Sequence, residues 1–589
     1  MAKLRARASV VLVALLLVGA GPLPLRVDDF TLLDHQGRSH HLSWYGDRKA
    51  VVLFVQGNGC PIARSTLPAL AAVRGEFASS EVVFLGLNAS PQDDRAGVAR
   101  EAREYGIDFP VLIDETQLVA GSLGVTRTSE VLLIATDGWR VVYRGPVDDR
   151  LHYEAQRPAR EHHLRDALRA LLAGKAIGTP VREAPGCLIQ FGGRDRARPN
   201  GISYTADVAP LLAKHCVACH RADGVAPWAM TGYEIVRGWA PMIREVVRTG
   251  RMPPWHADPA FGRFRNASAL SLEEQRMLAH WVEAGAPRGE GPDPLAERPP
   301  PPAPAWSLGP PDLVLAAPEQ EIPAGGVVDY RYERVEVPIG RDLWVRGVDL
   351  QPSNPSVMHH GLAWIVYPEG RRAPPTEGPS FTSGMFAAYV PGREVAPLPD
   401  GGGYLLPAGS KIRFQLHYTT TGRAERDAPR LGLYLSERPL AHELKIGAVA
   451  SFDFAIPPGA PDHRETAERT IGRDILVYQW SPHMHYRGKS MRIEADFPGG
   501  RHETLLSVPS YHFNWQHRYV LEEPLRVPAG TKLVVHAAFD NSERNPANPD
   551  PTAWVRYGEQ TFEEMLFGYF LYRDLDAVTA ARSAAEPTH

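Results

Sequence analysis

The residues of this 589-residue chain that can do chemistry fall into a few short strings. Its four cysteines are Cys60, Cys187, Cys216 and Cys219, so nothing beyond Cys219 can form an internal disulfide. Cys216-Val-Ala-Cys219-His220 has the C-x-x-C-H spacing. Two thiols so placed can form thioethers to the two vinyl groups of a haem, and the adjacent histidine then lies under the iron. No second C-x-x-C exists to complete a four-thiolate zinc site. One covalent c-type haem is therefore expected. Met252, in Arg-Met-Pro-Pro-Trp, is the expected distal ligand, because its loop is stiffened by proline and a thioether raises the potential. Met230, Met242 and His256 are the rival ligands.

Further on, histidines dominate. His359 and His360 lie in Met-His-His-Gly-Leu-Ala-Trp, and His417 in Phe-Gln-Leu-His-Tyr. His483 and His485 lie in Ser-Pro-His-Met-His-Tyr-Arg-Gly, and Met565 in Phe-Glu-Glu-Met-Leu-Phe-Gly-Tyr. On a strand, His483 and His485 share a face and can bind one ion. His359 and His360 would point to opposite faces. They could share an ion only through a bend or by using different ring nitrogens. Imidazoles joined by one thioether suit copper cycling between two oxidation states, whereas zinc rarely takes methionine. Two other pairs, His40-His41 and His162-His163, read as solvated surface.

These strings need scaffolds of different kinds. Residues 27–172 alternate strand and helix signals, from the apolar run Ala50 to Gln56 through a helical Arg64 to Phe77 and a second strand, Val82 to Leu87. Val131 to Ile134 and Arg140 to Arg144 form a hairpin around Asp137-Gly138, so an α/β domain with a mixed sheet is expected over 25–178. A Gly/Pro/Arg-rich linker follows over 179–200. Residues 201–290 are helical, with helices expected over Tyr204 to Lys214, Tyr233 to Thr249 and Leu272 to Ala284. A proline-rich spacer covers 291–312. Beyond it, short alternating runs such as Leu343 to Leu350, Ile412 to Tyr418, Ile475 to Trp480 and Lys532 to Phe539 predict two all-β sandwiches, 313–438 and 439–578.

A formal net charge of -4 gives no reason to expect a nucleic acid or an anionic membrane as partner. The N-terminus reads as an export signal over 1–21. Lys3, Arg5 and Arg7 precede the apolar Val10 to Val18, and Gly19-Ala20-Gly21 follow. The apolar run is shorter than the roughly 20 residues of a membrane span, and the alternative reading is an uncleaved anchor. A periplasmic or cell-envelope location is expected, with no other membrane segment.

Residues from about 313 to 575 resemble the copper type II, ascorbate-dependent monooxygenases, which include the peptidylglycine and dopamine hydroxylating enzymes. The resemblance implies two coppers. His359, His360 and His417 would hold the first, an electron store. His483, His485 and Met565 would hold the second, where O2 is activated and a substrate C–H is hydroxylated. It also implies that the two coppers face each other across solvent. Gln415 and Tyr569 match the family pattern. The module lacks the family's cysteines. Ser481 stands where the peptide-amidating enzymes have an arginine that holds a substrate carboxylate, so a C-terminal peptide acid is not the expected substrate. Arg487 is either a substitute anion holder or a surface residue.

Residues 201–290 resemble small cytochromes c. Residues 27–172 resemble thioredoxin-like redoxin and peroxiredoxin domains, through Gly57-Asn-Gly-Cys60-Pro-Ile-Ala-Arg, Leu132-Leu-Ile-Ala-Thr-Asp-Gly and Tyr143-Arg-Gly. At a strand-to-helix turn, a helix N-terminus would lower the Cys60 pKa. Three positions depart from the pattern. Ala63 replaces the second cysteine of C-x-x-C, Gly57 replaces a hydroxyl residue, and Ser129 replaces the usual cis-proline. Cys187 is either a resolving or structural partner of Cys60, or both thiols are inert.

The expected fold class is therefore multidomain: a thioredoxin-like α/β domain, an α-helical cytochrome c domain and two jelly-roll-like sandwiches. The implied function is an exported haem- and copper-dependent oxidoreductase. It would hydroxylate a small-molecule substrate with O2, taking electrons through the fused haem. The alternatives are a non-hydroxylating electron-transfer or copper-binding protein, and a thiol-dependent peroxide reductase acting through Cys60.

Overall fold

The computed structural model describes residues 25–575 except 78–80, 153–154, 193–200, 223, 298–304, 392–394 and 396. The expected export signal lies outside the described residues. The chain divides between residues 196 and 197 into two compact units. Among the described residues, no helix is long and apolar enough to cross a membrane.

The first unit is built on a six-stranded mixed sheet. Its strands are β1 (Leu25–Arg26), β2 (Ala50–Gln56), β3 (Val82–Asn88), β4 (Val111–Ile113), β5 (Val131–Ala135) and β6 (Arg140–Gly145), in the order β1-β6-β5-β2-β3-β4. Every residue of β2 is buried, as expected for a central strand covered on both faces. β2 runs parallel to β3 and antiparallel to β5, so the expected mixed sheet and hairpin are present. Helices α1 (Pro61–Phe77), α2 (Arg95–Glu104), α3 (Leu118–Ser122) and α4 (His163–Leu172) belong to the same unit. Apolar clusters lie on the two sides of the sheet, one with Val52, Phe54 and Leu168 and the other with Val51, Leu53 and Val55. The stretch expected as a free linker from 179 is instead bound to this unit at first. Arg182 N–H donates to Arg144 O at 2.8 Å, Leu188 bridges Arg127, and Ile189 is buried in the core. Ile189 and Phe191 explain why: they bury apolar surface that a free linker would expose.

The second unit begins with helices α5 (Ala209–His215), α6 (Tyr233–Gly238), α7 (Ala240–Arg248) and α8 (Leu272–Glu283) around a core of Tyr204, Leu212, Val236, Leu278 and Trp281. The single helix expected over Tyr233 to Thr249 is two helices that meet at Trp239. Pro241 has no N–H for an i→i−4 bond, which makes it a helix starter and not an interior residue. α8 opens on a capping box between Ser271 and Glu274.

The rest of the unit is β-rich. Two four-stranded sheets face a shared eight-stranded sheet. The eight-stranded sheet comprises β7 (Leu313–Ala316), β9 (Leu343–Gln351), β12 (Gly402–Leu406), β14 (Arg430–Ser436), β15 (His442–Ser451), β17 (Ile475–His483), β20 (Tyr519–Val527) and β22 (Leu566–Asp574), in the order β7-β14-β9-β12-β15-β22-β17-β20. The first small sheet is β8 (Arg331–Glu336), β13 (Lys411–Tyr418), β10 (Met358–Val366) and β11 (Met385–Tyr389). The second is β16 (His463–Thr470), β21 (Lys532–Phe539), β18 (Gly488–Asp496) and β19 (His502–Val508). Two cores result, around Phe414 and Leu433 and around Trp480 and Phe539. The halves are one continuous sheet across β12 and β15, where Gly402 pairs with His442 and Gly403 with Glu443. A Cβ on Gly403 would lie 2.2 Å from Val345 O of β9 and 2.3 Å from Leu440 Cδ1 just before β15, so only glycine lets β12 fit between those two strands.

Candidate functional site

The histidine pair is positioned by an irregular strand. β10 pairs with β13 through Met358↔Tyr418 and His360↔His417, and His359 is the extra residue of the bulge between them. A bulge re-aims one side chain locally. It supplies the bend that adjacent histidines need to reach one point. His359 Nδ1 lies 3.0 Å from His360 Nδ1, which lies 3.3 Å from His417 Nδ1. One ligand nitrogen from each of the three falls within 4.8 Å of the others. Ligands about 2.0 Å from one ion are separated by roughly 3–4 Å, so the spacing fits a single metal.

Electrostatics point the same way. Burial, with a smaller contribution from neighbouring imidazoles, pushes His359 down to about 4 and His417 down to about 2. His360 is also held well below its ordinary value, first by burial and then by His417 and His359. Near neutral pH three uncharged imidazoles present nitrogens to one another. The His360 Nδ1 shared by both contacts cannot satisfy the two with one proton, whereas one cation can meet all three nitrogens.

The second set lies where β17 ends. His483 is the last residue of β17 and His485 lies just beyond it, so the pair is not on a regular strand as expected. Their rings are nonetheless 5.3 Å apart. His483 Nδ1 contacts Gln516 Oε1 at 2.7 Å and His485 Nδ1 contacts Glu563 O at 3.2 Å. These acceptors fix the N–H tautomer and leave Nε2 of each ring as the donor atom. His485 Nε2 is buried and has no hydrogen-bond partner among the described residues. Buried Met565 immediately precedes β22. Its N–H and that of His485 donate to the same oxygen of Glu564, at 3.3 and 2.8 Å, so one carboxylate ties the backbones of these two residues together. Burial pushes the Glu564 carboxyl up to about 8 against the opposing pull of those N–H groups and of Arg487.

Two expectations are corrected here. Arg487 neither lies on the surface nor faces an anion site. It is 1 % exposed, its Nε donates to Asn541 Oδ1 at 2.7 Å, and its Nη1 donates to Phe562 O at 2.9 Å. Nor are the two histidine sets parted by solvent. The His360 and His483 rings are 6.1 Å apart. Phe513 stacks on His359 at 4.3 Å and reaches His485 at 6.3 Å. The continuous sheet holds the halves together and aromatic rings fill the space between them.

Sequence reasoning missed the residues that brace these rings. Asn514 Oδ1 contacts His359 Nε2 at 3.2 Å, from the loop that also supplies Gln516 and Phe513. Tyr330 lies 4.7 Å from His417 and 6.5 Å from His485, ring to ring, and its buried hydroxyl has no hydrogen-bond partner among the described residues. The one available signal was the alternation of histidine, amide and aromatic residues over 511–518.

In the helical segment, Cys216 and Cys219 are not joined in a disulfide, and His220 Nδ1 contacts Trp228 O at 3.1 Å. With Nδ1–H tied to a carbonyl, Nε2 is the nitrogen free to meet an iron. Met230 is buried in the helical core, whereas Met252 is half-buried in the loop after α7. The segment after Met252 lies on the second sandwich. The Trp255 ring is 5.0 Å from Tyr519, Phe264 bridges Leu521, and Asn266 Nδ2 donates to Arg518 O at 2.7 Å.

In the first unit, Cys60 occupies the turn between β2 and α1 and its carbonyl accepts from Arg64 N–H at 3.0 Å. Burial raises its thiol, but hydrogen bonds from Cys187, Thr128 and the Ala63 N–H bring it below its ordinary value. Ser129, at the position expected for cis-proline, has φ +67° and bonds Thr66 Oγ1 at 2.7 Å.

Residues 25–145 match the AhpC/TSA family. Over 110 residues the chain is 28% identical to the thiol-disulfide oxidoreductase ResA of Geobacillus thermodenitrificans, a stretch that is 19% of this chain and 62% of that protein. The ResA of Halalkalibacterium halodurans is also 28% identical over 110 residues, 61% of its length. The chain thus spans less than two thirds of these curated relatives. A hypothetical protein of Sinorhizobium meliloti is similar at 29% identity and a TM-score of 0.28, covering 30% of this chain and 97% of that one. Peroxidoxin BcpB of Mycobacterium tuberculosis is similar at 23% identity and a TM-score of 0.20, over 26% of this chain and 93% of that one. The N-terminal part of the chain is accordingly an AhpC/TSA redoxin domain with a thioredoxin-like fold, followed by a helical segment and a β-rich region.

Proposed function

We propose that the chain is an exported oxidoreductase in which a covalent c-type haem feeds electrons to a two-copper centre that hydroxylates a small molecule with O2. The observation that carries this reading is the meeting of three Nδ1 atoms at 3.0 and 3.3 Å on a bulged strand. His359, His360 and His417 would hold one copper through Nδ1. His483 and His485 would hold the other through Nε2, with Met565 as the soft third donor. Cys216, Cys219 and His220 would hold the haem, and Met252 is the distal donor we favour, because Met230 is committed to the core and Met242 is exposed on α7.

Bound copper would supply O2 activation and one-electron storage. The protein's own part is positional. Asn514, Gln516 and the Glu563 carbonyl fix ring orientation, and burial keeps the imidazoles uncharged and ready to bind. Phe513 and Tyr330 exclude water between the sets. The segment 255–266 ties the helical segment to the loop that carries Asn514 and Gln516, a short covalent and packed route for electrons.

Metal analysis of the purified holoprotein should give one haem and two coppers per chain. On rapid mixing, ferrous haem should be oxidised by the copper-loaded chain and not by the copper-free chain. Equal rates would reject the reading. One observation favours a second reading, a copper-binding electron carrier without hydroxylase activity. His485 is fully buried and aromatic rings pack between the two sets. Oxygen uptake without hydroxylated product across a substrate panel would select it.

A further inference from the structure

The redoxin unit lacks the second cysteine of C-x-x-C, since Ala63 takes its place. The fold supplies another thiol from outside the family-matched residues. The segment 186–188 runs back across the turn after α3. Thr128 N–H donates to Cys187 O at 2.9 Å, and Arg127 Nη1 donates to Gly186 O at 3.0 Å. This packs Cys187 against the apolar cluster that contains Cys60. Thr128 sits between them. Its Oγ1 accepts from Cys187 N–H at 3.0 Å and lies 3.0 Å from Cys60 Sγ. Once Cys60 is ionised its sulfur can only accept, so the Thr128 hydroxyl then donates to it.

Two glycines make the arrangement possible. A Cβ on Gly57 would lie 2.7 Å from Thr128 Cγ2, so the position that carries a hydroxyl residue in peroxiredoxin-like domains is emptied to admit Thr128. A Cβ on Gly186 would lie 1.9 Å from Thr128 O, so only glycine lets the Cys187 segment approach. The hydroxyl and the second thiol are both present, each relocated.

We propose that Cys60 and Cys187 form a dithiol–disulfide couple that exchanges two electrons with a substrate disulfide. Thr128 is the positioning residue that donates to the Cys60 thiolate. The Cys60 thiolate attacks one sulfur of the substrate disulfide, the substrate S–S bond breaks, and the first substrate thiolate leaves. That thiolate takes the Cys187 proton, directly or through solvent. The Cys187 thiolate then attacks Cys60 Sγ and expels the second substrate thiolate. One substrate disulfide is reduced to two thiols, and the chain gains one internal disulfide. The unequal thiols suit the sequence. Hydrogen bonds hold Cys60 below its ordinary value, whereas burial and then Cys60 push Cys187 up to about 11, so Cys60 ionises first.

The test equilibrates the full-length holoprotein in mixtures of reduced and oxidised glutathione, blocks free thiols and maps peptides by mass. The peptides bearing Cys60 and Cys187 should be joined in a single two-electron transition. C187S should accumulate glutathione on Cys60, and G186A should lose the cross-link while retaining its metals. T128V should shift the pH midpoint of Cys60 alkylation upward and slow alkylation several-fold at neutral pH. Separate alkylation of both thiols in every mixture would overturn the couple. Cross-linking by peroxide but never by oxidised glutathione would overturn the substrate class. The proposal is independent of the copper reading, and a copper-stripped sample should show the same transition.

Discussion

An imidazole offers two nitrogens, and whatever occupies one decides the use of the other. His359 turns Nε2 to Asn514 and Nδ1 inward, whereas His483 ties Nδ1 to Gln516 and keeps Nε2. Partners of this kind typically change metal affinity by about 10- to 100-fold. Asn514→Ala should therefore weaken copper at the three-histidine set, and Gln516→Leu at the other, each by about one order of magnitude or more in a chelator competition. His417→Ala should lower the bound copper from two ions to one per chain, read by elemental analysis, with the haem spectrum unchanged. The three histidines that the fold gathers, His359, His360 and His417, stood out in the sequence because metal donors are rare residue types in tight spacings. Asn514 and Gln516 were not, since they lie 155 and 33 residues from the rings they hold and carry no periodic mark.

Local chemistry decides how well elements can be read. The buried run Ala50 to Gln56 and the alternating Ile412 to Tyr418 formed strands, Ala50–Gln56 and Lys411–Tyr418, as their patterns predict. The bulge at His359 left no trace, because a one-residue shift in pairing depends on the partner strand and not on composition. The helix expected from Leu272 begins there, on a capping box. Ser271 and Glu274 bond each other's backbone at the head of α8, and Glu274 also meets His215 and Lys214, at 3.0 and 3.1 Å. Burial raises the Glu274 carboxyl, but those donors outweigh it and hold it down to about 2. A depressed carboxyl stabilises the fold above its ordinary value of roughly 4.3, and that contribution is lost as pH falls toward 2. Acid titration of the helical signal should accordingly show a loss over that window, and Glu274→Gln should make the signal less pH-dependent there.

At the scale of the whole molecule, the helical segment is joined to the β-rich region through aromatic packing. Trp255 contacts Tyr519, Phe264 and His517, at ring separations of 5.0, 6.0 and 6.0 Å. Trp255→Ala should cost about 2–3 kcal/mol, toward the low end for a half-buried aromatic, and should split a single thermal unfolding transition of the second unit into two. The division into an α/β unit, helices and β-structure was readable from changes in periodicity. The eight-stranded sheet that fuses the two expected sandwiches was not, because its joint rests on glycines that look like any turn.

That joint also limits how the β-region can be cut. A fragment ending near residue 438 would bare the backbone donors and acceptors of β12, and one starting near 439 would bare those of β15. Raw β edges recruit other chains. Expressed apart, each half should be recovered as aggregate; expressed together in one cell, the halves should rescue each other's solubility.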